Sequence, residues 1–213
     1  MPSLTFLYGT MNSSKTANLL MTAYTQRSQG KKILLTKPSI DIRGGKSTIK
    51  SRVGLEEKVD FLIYPDKSLL QLIKVLIRDK VDIILVDEAQ FLTVKNVEEL
   101  RFLSKYVPII CYGLLTDYRT KLFPGSQRLI ELSDYRKEIR YTLSLSLGNC
   151  ADCNENKAIV NAKYQRVEDP FGMYPDKLVI IREGSDKPDL GAEEKYRPLC
   201  WQCWSNKKPS TMI

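Results

Sequence analysis

The sequence predicts an α/β domain with a mostly parallel sheet flanked by helices, followed by a small cysteine-containing module. Strand and helix signals alternate from residue 3 to about residue 147, which is typical of a parallel α/β fold. Four of the five cysteines lie beyond that point, among short strand-like segments. We therefore expect one domain at residues 1–147, a second at 148–205, and a flexible tail at 206–213.

The individual elements follow from the spacing of apolar residues. Apolar runs of strand length predict buried strands at residues 3–8, 32–36, 81–87, 107–113 and 139–147. Apolar residues at helical spacing predict helices at residues 14–29, 66–79 and 94–105. The polar, glycine-containing segment 38–55 is predicted to be a loop. Further along, "AIVNAKYQRV" and "KLVIIRE" predict two short strands.

Composition limits the possible functions. The apolar runs are too short to span a bilayer and the N-terminal residues lack a secretory pattern, so we expect a cytoplasmic protein without a membrane partner. The net charge of +8 favours anionic partners such as nucleotides. Nucleic acid is not expected as a partner, because lysine and arginine are scattered rather than interleaved with aromatic residues. The chain has no histidine, which excludes Ser-His and Cys-His catalysis.

A near-match to a phosphate-binding loop follows the first predicted strand. "GTMNSSKT" has Gly9, Lys15 and Thr16 where the pattern G-x-x-x-x-G-K-[ST] requires them, but Ser14 stands in place of the second glycine. A serine there would crowd a phosphate or need an unfavourable backbone φ. Backbone N–H groups at a helix N-terminus attract anions, so the expected ATP-binding residues are Gly9, Thr10, Met11, Asn12, Ser13, Ser14, Lys15 and Thr16. The alternative is an ordinary turn capped by Ser13 or Ser14.

A second motif, "ILVDEAQF", ends a predicted buried strand with two acidic residues. An aspartate in this position, here Asp87, would hold Mg²⁺ together with the Thr16 hydroxyl. Glu88 would be placed to take a proton from a nucleophile. The alternative is a solvated strand end. A strand-terminal Asp-Glu together with a loop that ends in Lys-Thr favours phosphoryl-transfer chemistry.

The cysteines form a metal-binding pattern. Cys150 and Cys153 make one C-x-x-C pair, and Cys200 and Cys203 make another, with 46 residues between the pairs. Two such pairs predict a closed, structural zinc site with four thiolate ligands. Disulfides and a redox-active C-x-x-C are the alternatives, and reduced thiols are expected in the cytoplasm. Cys111 lies in an apolar strand and is predicted to be part of the core.

Five segments, in order, resemble the thymidine kinase family of the cellular, zinc-containing type, in its bacterial-like form. They are "GTMNSSKT", "DIR" with "SRVG", "DEAQF", "CYGLLTDYRTKLFPGS" and "GAEEKYRPLC". The resemblance covers nearly the whole chain. It implies a fold like that of P-loop NTPases, with a lid loop in the zinc module. It also implies ATP-dependent phosphorylation of the 5′-hydroxyl of thymidine, with deoxyuridine as a further candidate, in the salvage of deoxynucleotides for DNA synthesis.

The resemblance also implies roles for individual residues. Lys15 and Thr16 would bind the ATP phosphates and Mg²⁺, and Glu88 would be the general base. Arg43 would lie near the transferred phosphoryl group, so the expected catalytic residues are Glu88, Arg43 and Lys15. The expected nucleoside-binding residues are Met11, Asp41, Arg43, Gln90, Phe91, Leu114 and Tyr118, with Leu190, Gly191 and Tyr196 from the lid. Val160 lies in a segment that would shape the thymine methyl pocket. The family tends to form homotetramers.

Plainer interpretations exist for several of these residues. Met11, Phe91 and Leu114 are also what a core would contain, Tyr118 could be a surface aromatic, and Tyr196 could pack on the zinc module. Arg43 could be a solvated loop charge. For the whole chain, one alternative is a P-loop ATPase whose zinc ribbon acts on nucleic acid. Another, motivated by Ser14, is a non-catalytic relative that has kept the fold.

Overall fold

The α/β domain is built on a six-stranded sheet. The computed structural model describes residues 2–139, 149–167, 177–184 and 195–207. The strands of this domain are β1 (Leu4–Tyr8), β2 (Ile33–Pro38), β3 (Thr48–Lys50), β4 (Glu56–Lys58), β5 (Phe61–Ile63), β6 (Ile83–Val86), β7 (Ile109–Gly113) and β8 (Tyr135–Glu138). The sheet has the order β5-β2-β6-β7-β1-β8, and β3 and β4 form a separate antiparallel hairpin. Every pairing described within the six-stranded sheet is parallel, which confirms the predicted fold class.

Helices cover both faces of this sheet. They are α1 (Lys15–Ser28), α2 (Leu72–Arg78), α3 (Val94–Leu103) and α4 (Pro124–Leu132), with a 3₁₀ turn at Ala89–Phe91. Successive residues of β6 enter different apolar clusters. Ile84 and Val86 pack on the side of α2, α3 and α4, whereas Leu85 packs on the side of α1. Because successive strand side chains point to opposite faces, a strand covered on both sides is apolar throughout. No helix in the described part of the chain has the length and apolar character needed to cross a membrane.

Several elements differ from the sequence prediction. Helix α4 and strand β8 were not predicted, and β8 has the sequence "YRKE", whose exposed polar residues suit the edge of a sheet. Helix α2 begins at Leu72 rather than at residue 66. The Glu99 carboxylate accepts hydrogen bonds from the Leu69 N–H and the Ser68 hydroxyl, which holds the preceding residues in turns. The predicted loop 38–55 contains β3. Residues 140–147 of the predicted strand 139–147 lie outside the described residues.

The cysteine-containing module is a small antiparallel sheet with one short helix. Strands β9 (Val160–Val167), β10 (Lys177–Ile181) and β11 (Tyr196–Leu199) have the order β10-β9-β11, and α5 (Trp201–Asn206) follows. Its buried cluster contains Cys150, Val160, Ala162, Tyr164, Ile180, Leu199, Cys200 and Trp204. Helix α5 includes Asn206, the first residue of the predicted tail, and residues 208–213 lie outside the described ranges. The predicted boundary near residue 147 also lies outside them and stays a prediction.

One edge of the parallel sheet collects the segments that carry the sequence motifs. The carboxyl ends of parallel strands meet at the same edge, where open α/β sheets bind their ligands. Strand β1 leads there to residues 9–16, β2 to residues 41–43, β6 to residues 87–91, and β7 to residues 114–118.

Candidate active site

The loop between β1 and α1 folds around a buried lysine. Lys15 is 9% exposed, and its Nζ donates a 2.7 Å hydrogen bond to the Thr10 carbonyl and lies 3.4 Å from Ser13 Oγ. Burial lowers the pKa of Lys15 to about 8, although the negative charges of Glu88 and Asp87 oppose the shift. Gly9 has no room for a side chain, because a Cβ there would lie 2.4 Å from Ser13 Oγ. The loop is therefore tightly packed around the ammonium group.

Ser14 has the backbone conformation that the missing glycine would suit. It precedes α1 with φ 59° and ψ 27°, in the left-handed region. For a residue with a Cβ this region costs about 1 kcal/mol or more. Asn12 is also left-handed, with φ 65°, but asparagine adopts this conformation more readily. The unfavourable φ expected for Ser14 is thus found, and the side chain lines a cavity at the sheet edge.

Thr16 and Asp87 meet across the end of β7. The Thr16 hydroxyl lies 3.1 Å from Asp87 Oδ2 and 3.3 Å from Oδ1. Strand β7 lies between β1 and β6 and ends in Gly113. Burial raises the pKa of Asp87 to about 7, and the negative charge of Glu88 adds to the shift. A hydroxyl and a buried carboxylate side by side are oxygen donors of the kind that a hard divalent cation prefers, so the pair fits Mg²⁺.

Four charged side chains of alternating sign connect β2 to Glu88. Lys37 Nζ lies 3.3 Å from Asp41 Oδ2, and Arg43 Nε lies 2.7 Å from Asp41 Oδ1. Arg43 Nη2 lies 2.7 Å from Glu88 Oε2. Burial alone would raise the pKa of Glu88, but the positive charges of Arg43 and Lys15 and its hydrogen bonds outweigh burial and lower it. Arg43 is thus held between two carboxylates, and Glu88 is ionised.

Lys37 was missed by the sequence analysis. Its side chain is fully buried, and its Nζ donates to the Gly45 carbonyl at 2.9 Å and to the Thr48 carbonyl at 2.8 Å, besides pairing with Asp41. The ammonium group therefore fixes the loop that carries Arg43. A signal was available, since a lysine directly continues the apolar run of β2 and stands four residues before Asp41.

The backbone at Glu88 departs from the strand that precedes it. Glu88 has φ 49° and ψ 39°, again in the left-handed region. Because successive residues of an extended strand point to opposite faces, a continued strand would separate the two carboxylates. The turn at Glu88 lets Asp87 and Glu88 line the same cavity. Gln90 lies behind them, 2% exposed, donating to the Glu88 carboxylate and accepting a 2.9 Å hydrogen bond from the Leu114 N–H.

A cavity of about 380 Å³ brings most of the expected residues together. Those that line it are Met11, Asn12, Ser14, Lys15, Thr16, Asp41, Arg43, Asp87, Glu88 and Leu114. Its wall also contains side chains to which the sequence analysis gave no role, namely Ala17, Ile49, Lys50, Ser51, Arg52 and Val53. The last three belong to the quoted "SRVG" segment, and Arg52 donates a hydrogen bond to the Asn12 side chain.

Among the expected aromatic residues, Tyr118 and Tyr196 lie near the cysteine module, whereas Phe91 lies beside Arg43. The Phe91 ring packs edge-on against Phe123, with the Arg43 guanidinium 5.8 Å from its centroid. Tyr118 is 8% exposed, so it is not a surface aromatic. Lys163 Nζ, another missed group, lies 5.2 Å from the Tyr118 centroid and 5.8 Å from the Tyr196 centroid.

Val160, which was expected to shape the thymine methyl pocket, does not line this cavity. It is 1% exposed and packs in the buried cluster of the cysteine module. Leu190 and Gly191 lie outside the described residues.

The four module cysteines form one compact cluster. Their sulfur atoms all lie within 4.8 Å of one another, and the sulfurs of Cys153 and Cys200 are 4.0 Å apart. A disulfide needs about 2 Å, so the disulfide alternative is wrong. Burial would raise the pKa of Cys150, but nearby backbone N–H groups lower it to about 6. Sulfurs at this spacing fit a tetrahedral thiolate site for a structural zinc ion. Cys111 is fully buried in the α/β core, as predicted.

Comparison with known proteins identifies the family of this chain. The thymidine kinase family model matches residues 2–204. The thymidine kinase of Enterobacteria phage T4 is 36% identical over 96% of this chain and 96% of its own. That of Encephalitozoon cuniculi is 34% identical over 96% and 88%, and that of Zymomonas mobilis is 33% identical over 94% of each chain. The solved Pif1 helicase of Candida albicans superposes with a TM-score of 0.41 at 14% identity, over 69% of this chain and 37% of that one, which is too low to bear on fold or function. The chain belongs to the thymidine kinase family.

Proposed function

We propose that this protein transfers the γ-phosphoryl group of ATP to the 5′-hydroxyl of thymidine, giving thymidine monophosphate and ADP. The observation that carries the proposal is the single cavity that holds Lys15, the Thr16–Asp87 pair and the Arg43–Glu88 pair in a chain of this family. Together they supply the parts that phosphoryl transfer needs, which are cations for the phosphates, oxygen ligands for a metal, and a base.

The phosphate loop is the proposed ATP site. The first N–H groups of α1 have no carbonyl partner within the helix and carry the positive end of its dipole, so they favour phosphate oxygens. Lys15 places its ammonium group inside the same loop. Mg²⁺ held by Thr16 and Asp87 would neutralise charge on the phosphates. Burial of these groups strengthens each electrostatic interaction, because little water is present to screen it.

Glu88 and Arg43 are the proposed base and phosphoryl-stabilising cation. Arg43 contacts Glu88 directly, and its positive charge is one reason that the pKa of Glu88 is low. If Arg43 turns its donors toward the transferred phosphoryl group, Glu88 loses that charge and becomes a stronger base as the 5′-hydroxyl attacks. One arginine would then serve both the phosphoryl group and the timing of proton removal.

The nucleoside is proposed to bind beside the phosphate loop. Met11 and Leu114 line the cavity, and Phe91 and Tyr118 offer aromatic surface nearby. Gln90 would link the Glu88 carboxylate to the Leu114 N–H and so hold both groups in place beside the nucleoside. Leu190, Gly191 and Tyr196 are proposed to belong to a lid whose closure excludes water as a competing phosphoryl acceptor.

Incubation with ATP, Mg²⁺ and each of the four deoxynucleosides, and with deoxyuridine, tests the substrate. We expect thymidine monophosphate to form fastest and to require both ATP and Mg²⁺. Preferred phosphorylation of a purine deoxynucleoside would contradict the proposed substrate. ATP hydrolysis that DNA stimulates, without any nucleoside product, would support the nucleic-acid ATPase instead, an alternative that family membership does not favour.

Substitution of Glu88 tests the proposed base. Glu88→Gln keeps the size of the side chain but cannot accept the proton, so kcat for thymidine should fall about a thousandfold while ATP still binds. Glu131→Gln, on the exposed face of α4, is the matched control and should retain kcat. Turnover of Glu88→Gln within a few-fold of the unsubstituted protein would show that Glu88 is not the base.

Two wider expectations stay predictions. The homotetramer rests on the family resemblance, and the cytoplasmic location rests on the shortness of the apolar runs in the sequence. Analytical ultracentrifugation of the purified protein would measure the oligomeric state.

A further inference from the structure

Asn161 links the cysteine module to two loops of the α/β domain. It lies on β9 and is 3% exposed. Its Oδ1 accepts a 2.8 Å hydrogen bond from the Met11 N–H in the phosphate loop, and its Nδ2 donates to the Thr116 carbonyl at 3.3 Å. Met11 follows β1, and Thr116 lies in the segment that leads from β7 to Tyr118. One side chain therefore contacts both loops that form the proposed ATP and nucleoside sites.

The orientation of this amide is fixed by its partners. A backbone N–H can only donate and a backbone carbonyl can only accept, so the oxygen must face Met11 and the nitrogen must face Thr116. The neighbours of Asn161 on β9, Val160 and Ala162, are buried beside Cys150 and Cys200. The residues on either side of this amide thus pack in the same buried cluster as the cysteines.

The phosphate loop needs such an external contact. Asn12 and Ser14 both have left-handed backbone conformations, which cost free energy and persist only where surrounding contacts hold them. The Met11 N–H lies immediately before these residues, and its partner comes from the other module. Loss of that contact would allow the strained loop to relax away from the conformation that surrounds Lys15.

We propose that Asn161 is a positioning residue that makes the ATP-binding conformation of the phosphate loop depend on the metal-ordered cysteine module. Through the Thr116 carbonyl it also holds the segment that carries Tyr118. The inference rests on the proposed function for its kinetic consequences, but the structural contact can be tested without any turnover. It gives the cysteine module a role in ATP binding.

Hydrogen–deuterium exchange tests the contact in zinc-loaded protein without nucleotide. Asn161→Ala should speed exchange in the peptide that contains Met11 by about tenfold, because a buried amide loses its acceptor. Asn161→Asp keeps the acceptor for the Met11 N–H but sets a carboxylate oxygen against the Thr116 carbonyl, so exchange should rise more in the peptide that contains Thr116 than in the one that contains Met11. Gln165→Ala, at an exposed position of the same strand, is the matched control. Unchanged exchange in Asn161→Ala, with zinc content and melting temperature retained, would overturn the proposal.

Zinc removal and kinetics test the coupling. Chelation should speed exchange of the Met11 peptide in the unsubstituted protein but add little in Asn161→Ala, since the link is already broken. Additive effects would contradict the proposed route. KM for ATP should rise about tenfold in Asn161→Ala, with a smaller change in kcat. An inactive unsubstituted protein would refute the proposed function and leave the exchange result to decide this inference.

Discussion

The α/β domain and the cysteine module are stabilised in different ways. The sheet of the α/β domain has an apolar cluster on each face, and these two clusters carry a site edge with buried charges and left-handed residues. In the described part of the module there is one cluster of eight buried residues, two of which are cysteines of the candidate metal site. A large core can tolerate local strain and desolvated charge, whereas a core this small needs a further source of stability. The two regions should therefore respond differently to perturbation.

Removal of the metal should produce the largest difference. Zinc bound by four thiolates contributes on the order of 10 kcal/mol to the folding of small zinc modules. Cys153→Ser should therefore abolish zinc binding, unfold the module and reduce kinase activity at least a hundredfold, while the α/β domain keeps its helical circular dichroism. Metal analysis, limited proteolysis and the kinase assay measure these effects.

The matched control for this experiment is Cys111→Ala. Cys111 is buried in the α/β core, so its replacement should leave the zinc content and the module unchanged. Cooperative unfolding of the whole chain in Cys153→Ser would contradict the view that the two regions are stabilised separately.

Lys37 tests how much buried charge the α/β domain tolerates. Lys37→Met leaves the Asp41 carboxylate buried with one cation fewer and removes the donor to the Gly45 and Thr48 carbonyls. We expect a loss of about 3 kcal/mol in the free energy of unfolding, as for other broken buried ion pairs. kcat should also fall, because Arg43 loses its fixed position. Urea denaturation and steady-state kinetics check both.

Lys46→Met, at an exposed position of the same loop, should change neither quantity. If Arg43 transmits the effect of Lys37, the kcat of the double variant Lys37→Met/Arg43→Ala should match that of Arg43→Ala alone. Multiplicative losses would show that Lys37 acts independently of Arg43.

Substitution of Ser14 should give the smallest effect, and it should stabilise the protein rather than destabilise it. Ser14→Gly relieves the left-handed strain at the start of α1, for a net gain of about 0.5–1 kcal/mol after the greater flexibility of unfolded glycine is included. KM for ATP should fall a few-fold as space opens beside the phosphates. Thermal unfolding and ATP titration measure these changes.

Ser28→Gly, in the last turn of the same helix, should instead destabilise the protein by up to ~1 kcal/mol. A rise in turnover of Ser14→Gly from near zero would identify the natural protein as the non-catalytic relative. A small change would remove that alternative.

The sequence predicted those parts of the molecule whose signals are local. The apolar runs of β1, β6 and β7 indicated a parallel sheet, because a strand buried on both faces has few polar residues. The phosphate loop and the paired C-x-x-C motifs fix residue types at short spacing, so they could be identified without a structure. Residues 87 and 88 could be placed at a strand end for the same reason.

The missed features depend on how the chain folds back on itself. The partners of Lys37 lie in the loop that directly follows β2, but that loop contacts the lysine only once it is folded. Asn161 contacts the phosphate loop only when β9 meets a residue 150 positions away. Strand β8 consists mostly of charged residues, and it is part of the sheet only because it pairs with β1. Neither secondary-structure propensity nor the spacing of apolar residues encodes such contacts, because tertiary packing determines them.

The backbone at Glu88 has a consequence for engineering. Glycine would relieve its left-handed conformation, for a gain of about 1 kcal/mol, but it would also remove the carboxylate that pairs with Arg43. Breaking a buried ion pair of this kind costs about 3 kcal/mol or more, so a search for thermostable variants would retain Glu88 in spite of its strained backbone. An engineer who seeks stability and one who seeks turnover would therefore both keep this carboxylate.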